Sequence, residues 1–190
     1  PLIVRDPAYN PNLALHILGG SSFSLEPGLL TGWSPFSHKQ LPSILALPVN
    51  TSAVGHYRVT QPLLELEAAG RAIGQIHYDQ PSLIEIERLQ PDVIVTQCRY
   101  SEPAINDIEV FKKYFNARRI YELDDYVIKA PKKNSHIRNM PDSVEMERLV
   151  RRGIGLCDRV VVSTAALADA LSGMHQDIRV VPNMLAPHLW

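Results

Sequence analysis

Cysteine is scarce in this sequence, a long apolar run is missing, and neither sign of charge is in excess. Its 190 residues include two cysteines, Cys98 and Cys157, and neither lies in a Cys-x-x-Cys or Cys/His spacing typical of a metal site. We therefore expect buried free thiols in a reducing compartment. No apolar stretch approaches the roughly 18 residues of a membrane span, and the first residues lack the apolar core of a signal peptide. These absences predict a cytoplasmic protein.

The charge balance also excludes a class of partner. Lysine and arginine number 19 and aspartate and glutamate number 20, for a formal net charge of −1. Such a balance gives no support to binding of nucleic acid or of an anionic membrane surface through bulk charge. Hydrophobic residues make up 45% of the chain, which is ordinary for a globular domain with a packed core.

The two parts of the chain differ in pattern. Residues 1–42 are rich in Pro, Gly, Ser and Asn and show no hydrophobic periodicity, which predicts an irregular linker or appendage. From residue 43 onwards, short apolar runs alternate with segments whose apolar residues recur at helical spacing. We therefore expect one folded domain over residues 43–190.

That alternation predicts the fold class. Consecutive strands separated by helices need crossover connections, and these give a mainly parallel sheet with helices on both faces. The expected architecture is α/β and Rossmann-like, a doubly wound sheet of about six strands. The predicted strands are Ile44–Val49, Ala72–His77, Val93–Thr96, Arg119–Leu123, Arg159–Val162 and Ile178–Val181. The predicted helices lie near Tyr57–Ala69, Ser82–Leu89, Glu102–Phe115, 142–156 and 163–171.

Polar residues follow almost every predicted strand. In a parallel sheet the carboxyl ends of the strands share one edge, where ligands of such folds bind. The turns could therefore line one cleft, although turns are polar in any protein and a helix needs a cap. The candidate residues for ligand binding in these turns are Ser52, Gly55, His56, Arg58, Gln97, Arg99, Asp124, Asp125, Thr164 and Asn183.

The first turn, in the stretch SILALPVNTSAVGHYR, is the sharpest candidate. A strand, a loop of small residues and the start of a helix form an anion site, because backbone amides and the helix dipole point at the ligand. Gly55 would allow close approach to the backbone, Arg58 could fork onto a phosphate or carboxylate, and His56 could hydrogen-bond a sugar or phosphate. The loop matches neither G-x-G-x-x-G nor G-x-x-x-x-G-K-[ST], so it does not indicate dinucleotide or P-loop binding.

The pair Asp124-Asp125 is the second candidate. Adjacent carboxylates can act as a base, accept hydrogen bonds from sugar hydroxyls, hold a metal, or serve the structure through a cap or an ion pair. A bare pair is weak support for a metal, because hard cations need more oxygen ligands. The sequence therefore predicts no metal site and leaves the other roles open.

Several of these segments resemble the N-terminal half of GT-B glycosyltransferases of the large retaining family 4. The resemblance lies in ILALPVNTSAVGHYRVTQPLLELEAAG, in YELDDYV and in the closing CDRVVVSTAALADAL…IRVVPNML, and it covers about residues 43–190. Residues 1–42 look like the connector that follows an inverting domain in multidomain bacterial surface-polysaccharide glycosyltransferases.

The resemblance implies an enzyme that moves a sugar from a nucleotide-sugar donor to a glycan or lipid-linked acceptor. Residues 52–55 would approach the donor phosphates, His56 and Arg58 would flank the cleft, and Asp124 and Asp125 would lie on the acceptor side. No cofactor or metal is implied, and no catalytic residue is assigned. The donor would be held mainly by a C-terminal domain whose paired-glutamate motif has no counterpart here, so this chain alone is expected to be inactive. A peripheral position at the inner membrane is compatible with this role.

Two other classes stay open. The domain could be a non-catalytic module that binds a glycan or a partner transferase, since the donor half is not in the sequence. A flavodoxin-like or receiver-type signalling domain also carries acidic residues at strand ends. In that class the acidic pair follows the first strand, whereas Asp124-Asp125 follows the fourth.

Overall fold

Six parallel strands form the centre of the computed structural model, which describes residues 41–129 and 141–184. The strand order is β2-β1-β3-β4-β5-β6, and every neighbouring pair is parallel. The predicted Rossmann-like α/β architecture is confirmed. The strands are β1 Ser43–Leu47, β2 Ile73–Ile76, β3 Val93–Gln97, β4 Arg118–Leu123, β5 Arg159–Val162 and β6 Ile178–Val180.

In the described ranges, five helical segments connect the strands. The first, α1, is continuous over residues 53–68 and consists of Ala53–Gly55, a π-helical segment His56–Thr60, and Gln61–Ala68. The others begin and end within two residues of the predicted bounds, and a 3₁₀ turn, Val127–Lys129, follows β4. They are α2 Leu83–Leu89, α3 Glu102–Tyr114, α4 Ser143–Gly155 and α5 Ala165–Leu171.

Side-chain caps explain where two of the helices begin. Ser82 forms a capping box with Glu85 at the start of α2, and the Asp142 side chain accepts hydrogen bonds from the amides of Val144 and Glu145 at the start of α4. These side chains satisfy amides that the helix itself leaves without an acceptor. Local sequence signals therefore fix both helix starts.

The start of α1 differs from the prediction. The helix begins at Ala53 rather than near Tyr57. Pro62 is the second residue of its last segment, Gln61–Ala68, which directly follows the π-helical turn His56–Thr60. Proline lacks the N–H that would bond to the carbonyl four residues earlier, here that of Arg58, so the regular hydrogen-bond pattern is interrupted in this part of α1.

The two faces of the sheet carry different numbers of helices. Right-handed crossovers place α1, which leads from β1 to β2, on one face and the helices that lead in the opposite direction on the other. Core contacts agree, because Ala46 of β1 packs against Val59 and Leu63 of α1. We call this side the α1 face. The other face is packed by α2 to α5 through buried residues that include Ile86, Phe111, Met146, Val150, Ile154, Leu167 and Leu171.

Part of the sequence analysis falls outside the described residues. The expected irregular appendage over residues 1–42 lies there except for Leu41 and Pro42, and it stays a prediction. Within the described residues, no helix combines the length and the apolar character needed to cross a bilayer.

Candidate functional site

The strand order reverses between β1 and β3, and we call the space at the carboxyl edge beside that reversal the crevice. The β1 crossover leads towards β2, whereas the β3 crossover leads away towards β4, and β1 and β3 are hydrogen-bonded neighbours. Ligands of open α/β sheets bind at such a topological switch point. Here the crevice lies between residues 48–52 after β1 and residues 98–101 after β3, with the first turn of α1 beside it.

Gln97 joins the two sides of this crevice. It is fully buried at the end of β3. Its Oε1 accepts a hydrogen bond from the Val49 amide at 3.0 Å, and its Nε2 donates to the Val54 carbonyl at 3.2 Å. Both functional groups of the side chain are thus used within the protein, so Gln97 positions the first loop and presents no free group to a ligand.

Asn50 organises the tip of that loop. Its Oδ1 accepts hydrogen bonds from the Ser52 amide at 2.9 Å and the Ser52 hydroxyl at 2.6 Å. The Ser52 carbonyl in turn accepts from the His56 amide at 2.9 Å. The loop is therefore fixed at the position from which α1 begins, and Ser52 and Asn50 are exposed to solvent.

Gly55 has a different role from the one its position in the sequence suggested. It is buried in the first turn of α1, and a Cβ placed on it would lie 1.9 Å from the Asn50 carbonyl oxygen. Glycine is needed here because the loop backbone packs directly on the helix. The sequence predicted that a ligand would approach the backbone at Gly55. In the structure the backbone of Asn50 occupies that place.

Arg58 points into the protein rather than towards solvent. Its Nε donates to Glu122 Oε1 at 2.7 Å, with the two side chains only 4% and 3% exposed. Its Nη1 donates to the Val181 carbonyl and, at 3.1 Å, to Asn183 Oδ1. Arg58 therefore ties α1 to β4 and to the segment after β6, and we do not count it among the groups free to bind a ligand directly.

Glu122 was not among the predicted site residues. It lies in β4 within YELDD, where a glutamate interrupts an apolar strand, and a buried carboxylate needs a cationic partner. That interruption was the available signal. Burial raises the pKa of Glu122, an effect that the Arg58 guanidinium only partly offsets. Glu122 Oε2 is buried with no hydrogen-bond partner among the described residues.

The turn after β3 contains a residue with a strained backbone, Cys98, and Asp124 of the acidic pair lies next to it. Cys98 has a left-handed backbone with φ of 51°, a conformation that costs a non-glycine residue about 1–3 kcal/mol and is found at functional sites. Its thiol lies 3.8 Å from Asp124 Oδ1. Burial raises the pKa of Cys98, and burial followed by the neighbouring Asp125 carboxylate raises the pKa of Asp124. Asp125 itself is exposed.

Thr164, Asn183 and Arg99 complete the predicted set. The Thr164 hydroxyl accepts from the Leu167 amide at 3.2 Å, so this residue caps α5. Asn183 is exposed but holds Arg58. The Arg99 carbonyl accepts from the Tyr121 hydroxyl at 2.9 Å, and burial lowers the pKa of the Arg99 side chain, whose Nη2 has no partner in the described part of the chain.

The turns meet along one edge, as the sequence predicted. Gln97 contacts the loop after β1, Cys98 contacts Asp124 after β4, and the Ser163 hydroxyl donates to the Asp124 carbonyl at 2.8 Å. Arg58 joins the segment after β6 to the same edge. In residues 41–129 and 141–184, no group of three or more His, Cys, Asp or Glu side chains is arranged to hold a metal ion.

The groups that remain free for a ligand are fewer than predicted. They are the exposed loop at Asn50 and Ser52, the first amides of α1, the half-exposed His56, and the exposed Asp125. His56 packs against the neighbouring Tyr57 ring edge-on, with centroids 5.2 Å apart. Together they offer amide donors, an imidazole and a carboxylate, which suits a phosphate or a polyhydroxylated ligand.

Comparisons with known proteins do not name the family. A scan against protein-family models finds no match for this chain, and a search of curated proteins finds none either. The likeness of the sequence to family 4 glycosyltransferases therefore stays a prediction.

Proposed function

We propose that residues 43–190 form the acceptor-side half of a glycosyltransferase that transfers a sugar from a nucleotide-sugar donor to a glycan or lipid-linked acceptor. A second domain supplies most of the donor site, and the chain acts in surface-polysaccharide synthesis from the cytoplasmic side, at most peripherally attached to the membrane. The proposal combines the resemblance in three sequence segments with the arrangement of the carboxyl edge.

The observation that carries the proposal is the crevice between β1 and β3. The β1 loop, the first turn of α1 and the strained turn at Cys98 converge there. The first amides of a helix have no acceptor within it, and the helix dipole favours an anion at that end. A diphosphate leaving group would be stabilised by these amides without a metal.

Asp125 and His56 contact the substrate in this proposal. The exposed Asp125 carboxylate accepts hydrogen bonds from acceptor hydroxyls, and His56 hydrogen-bonds a sugar or phosphate oxygen. Gln97 and Arg58 act as positioning residues, because they hold the loop and the helix through hydrogen bonds of 2.7 to 3.2 Å and have no free group of their own facing the crevice.

Binding measurements on the 190-residue chain test the proposal. Calorimetric titrations would compare oligosaccharide acceptors with UDP- and GDP-sugars, and amide chemical shifts would locate the ligand. We expect binding of an acceptor, weaker binding of a donor, and shifts confined to residues 49–58 and 97–101 and to the neighbourhood of Asp125.

Substitutions at His56 and Asp125 test whether these residues contact the ligand or only support the structure. Asp125→Asn and His56→Ala should each weaken binding by about tenfold, the loss expected for one charged or well-placed hydrogen bond, with the thermal midpoint unchanged. Glu87→Gln, at an exposed position on α2, is the matched control. If both site variants bind as the wild type does, or if shifts appear only away from the carboxyl edge, the proposal is wrong. Acceptor binding in a longer protein that performs no transfer would instead indicate the non-catalytic module.

A further inference from the structure

The described residues cover the α1 face unevenly. Helix α1 packs over β1 and β2 through Val59 and Leu63. The Leu63 side chain lies directly against Gly74 of β2, so close that a Cβ at that position would collide with it. The connections after β3, β4 and β5 all carry their helices on the opposite face. Parallel sheets are normally covered on both faces, so the α1 face over β3 to β6 needs a cover that none of these crossovers provides.

A row of apolar residues occupies the middle of that region. Val95 of β3 is paired with Ile120 of β4, and Val161 of β5 lies on the same face two residues further along the strands, where it is paired with Glu122. All three are only partly buried. None belongs to a core cluster formed by residues that the structure describes.

A cluster of arginines borders the row at the amino-terminal edge. Arg118, Arg159 and Arg179 share this face by register, opposite Val93, Ile120 and Val161 respectively. All three guanidinium groups contact the one carboxylate of Asp177, at 3.5, 2.9 and 2.7 Å. Three cations around one anion leave an excess of positive charge, and the arginine side chains are 50%, 31% and 64% exposed.

The size and the charge of the region favour one kind of occupant. Four strands about 4.8 Å apart span roughly 14 Å, and a helix with its side chains is about 10–12 Å wide. A second copy packed face to face fits poorly, because Asp177 and Glu122, two carboxylates of this face, are already paired with arginines of their own chain. An acidic helix matches both the apolar row and the arginine cluster.

We propose that the α1 face over β3 to β6 is a docking surface for an amphipathic helix of a partner polypeptide. The apolar stripe of that helix packs on Val95, Ile120 and Val161, and Asp or Glu side chains at one end pair with Arg118, Arg159 and Arg179. This inference is independent of the proposed function, since it uses the opposite edge and one face of the sheet rather than the crevice.

Accessibility of the surface is the first test. The variant Val161→Cys in the 190-residue chain would be treated with a maleimide reagent, with the wild type as background for Cys98 and Cys157. We expect the introduced thiol to react in the folded chain. Protection of that thiol as complete as that of the buried Cys157 would mean that the chain covers this face itself, and would overturn the proposal.

Peptide binding is the second test. The probe is a fluorescent helical peptide with leucines along one stripe and glutamates in its terminal turns, measured by anisotropy, and its control carries lysines in place of the glutamates. We expect saturable binding of the acidic peptide, weakened at high salt because surface charges are screened. Absence of binding, or equal binding of both peptides, would contradict the proposal.

Matched variants locate the contact. Arg159→Gln combined with Arg179→Gln should weaken binding of the acidic peptide by about tenfold, as expected when two partly exposed charge pairs are lost. Arg151→Gln, a 52%-exposed arginine on α4 at the other face, should leave binding unchanged. Equal effects of the two changes would show that the peptide responds to total charge alone, and the assigned surface would then be wrong.

Discussion

At the scale of single residues, the most consequential contact is the ion pair of Arg58 and Glu122. Its atoms are almost fully buried, and Arg58 also holds the Val181 carbonyl and Asn183. Removing one member of a buried pair leaves an uncompensated charge away from water, which costs far more than the loss of an exposed pair. The pair therefore fixes α1 against β4 and against the segment after β6.

We expect Arg58→Ala to lower the free energy of unfolding by about 3–5 kcal/mol, because Glu122 would be left buried without its cation. Urea unfolding followed by circular dichroism measures this loss. Arg151→Ala, which breaks an exposed pair with Glu147 on α4, is the control and should have a much smaller effect. A similar small effect of Arg58→Ala would contradict the assigned role.

A second residue-scale prediction concerns Asp124. Its pKa is raised above the ordinary 3.8 by burial and by Asp125, so the folded state binds the proton more tightly than the unfolded chain. The stabilisation from this group is therefore complete below about pH 3.8 and is lost as the pH rises through the folded-state pKa. Asp124→Asn removes the charge and should increase the free energy of unfolding at pH 7.

The measurement for Asp124 is urea unfolding at several pH values. The gain in the Asn variant should shrink as the pH falls and should vanish near pH 3, where the wild-type carboxyl is protonated in both states. Asp169→Asn, at an exposed position on α5, is the control. A gain that does not depend on pH would indicate a packing effect instead of a charge effect.

At the scale of elements, the join between β1 and α1 decides the shape of the crevice. Pro48 lacks an N–H and ends β1 early. The Val49 amide therefore donates to the side chain of Gln97 instead of to the backbone of a neighbouring strand. The loop then folds back so far that only a glycine fits at position 55. The same short segment sets the loop, the helix start and one wall of the crevice.

Two glycine substitutions make this a testable statement. Gly55→Ala should destabilise the protein by about 1–3 kcal/mol despite the better helix propensity of alanine, because the Cβ collides with the Asn50 carbonyl. Gly155→Ala, at the last residue of α4 with open space around it, should stabilise by up to about 0.5–1 kcal/mol. Thermal unfolding of the two variants measures these changes in stability. If Gly55→Ala also stabilised the protein, the loop at Asn50 would have to move to accommodate the Cβ, and the assigned role of Gly55 would be wrong.

At the scale of the whole molecule, the sheet has a protected centre and two exposed edges. Among the residues that the structure describes, strands β1, β3, β4 and β5 are paired on both sides, whereas β2 and β6 are each paired on one side only. Edge strands with exposed residues open more readily than central strands. The chain immediately after β6 is held by Arg58, through the Val181 carbonyl and Asn183, and by the hydrogen bond from the Val181 amide to the Val162 carbonyl.

Hydrogen exchange measured by mass spectrometry checks this order. We expect amides in β3 and β4 to exchange most slowly and those in Ile73–Ile76 and Ile178–Val180 to exchange faster. Arg58→Ala, measured where the variant is still folded, should speed exchange in β6 and leave β2 nearly unchanged. Equal protection of all six strands, or equal acceleration of β2 and β6, would contradict this description.

The sequence alone was sufficient for the order and type of the elements and for the parallel sheet, because periodicity, caps and proline positions are local signals. It also placed the polar turns on one edge, since that follows from parallel strands. Tertiary structure decided which of those side chains are free. Arg58 and Gln97 were read as ligand contacts, yet their partners Glu122, Val181, Val49 and Val54 are up to 123 positions away in the chain. A hydrogen bond between such distant residues depends on how the elements pack, which no local pattern records.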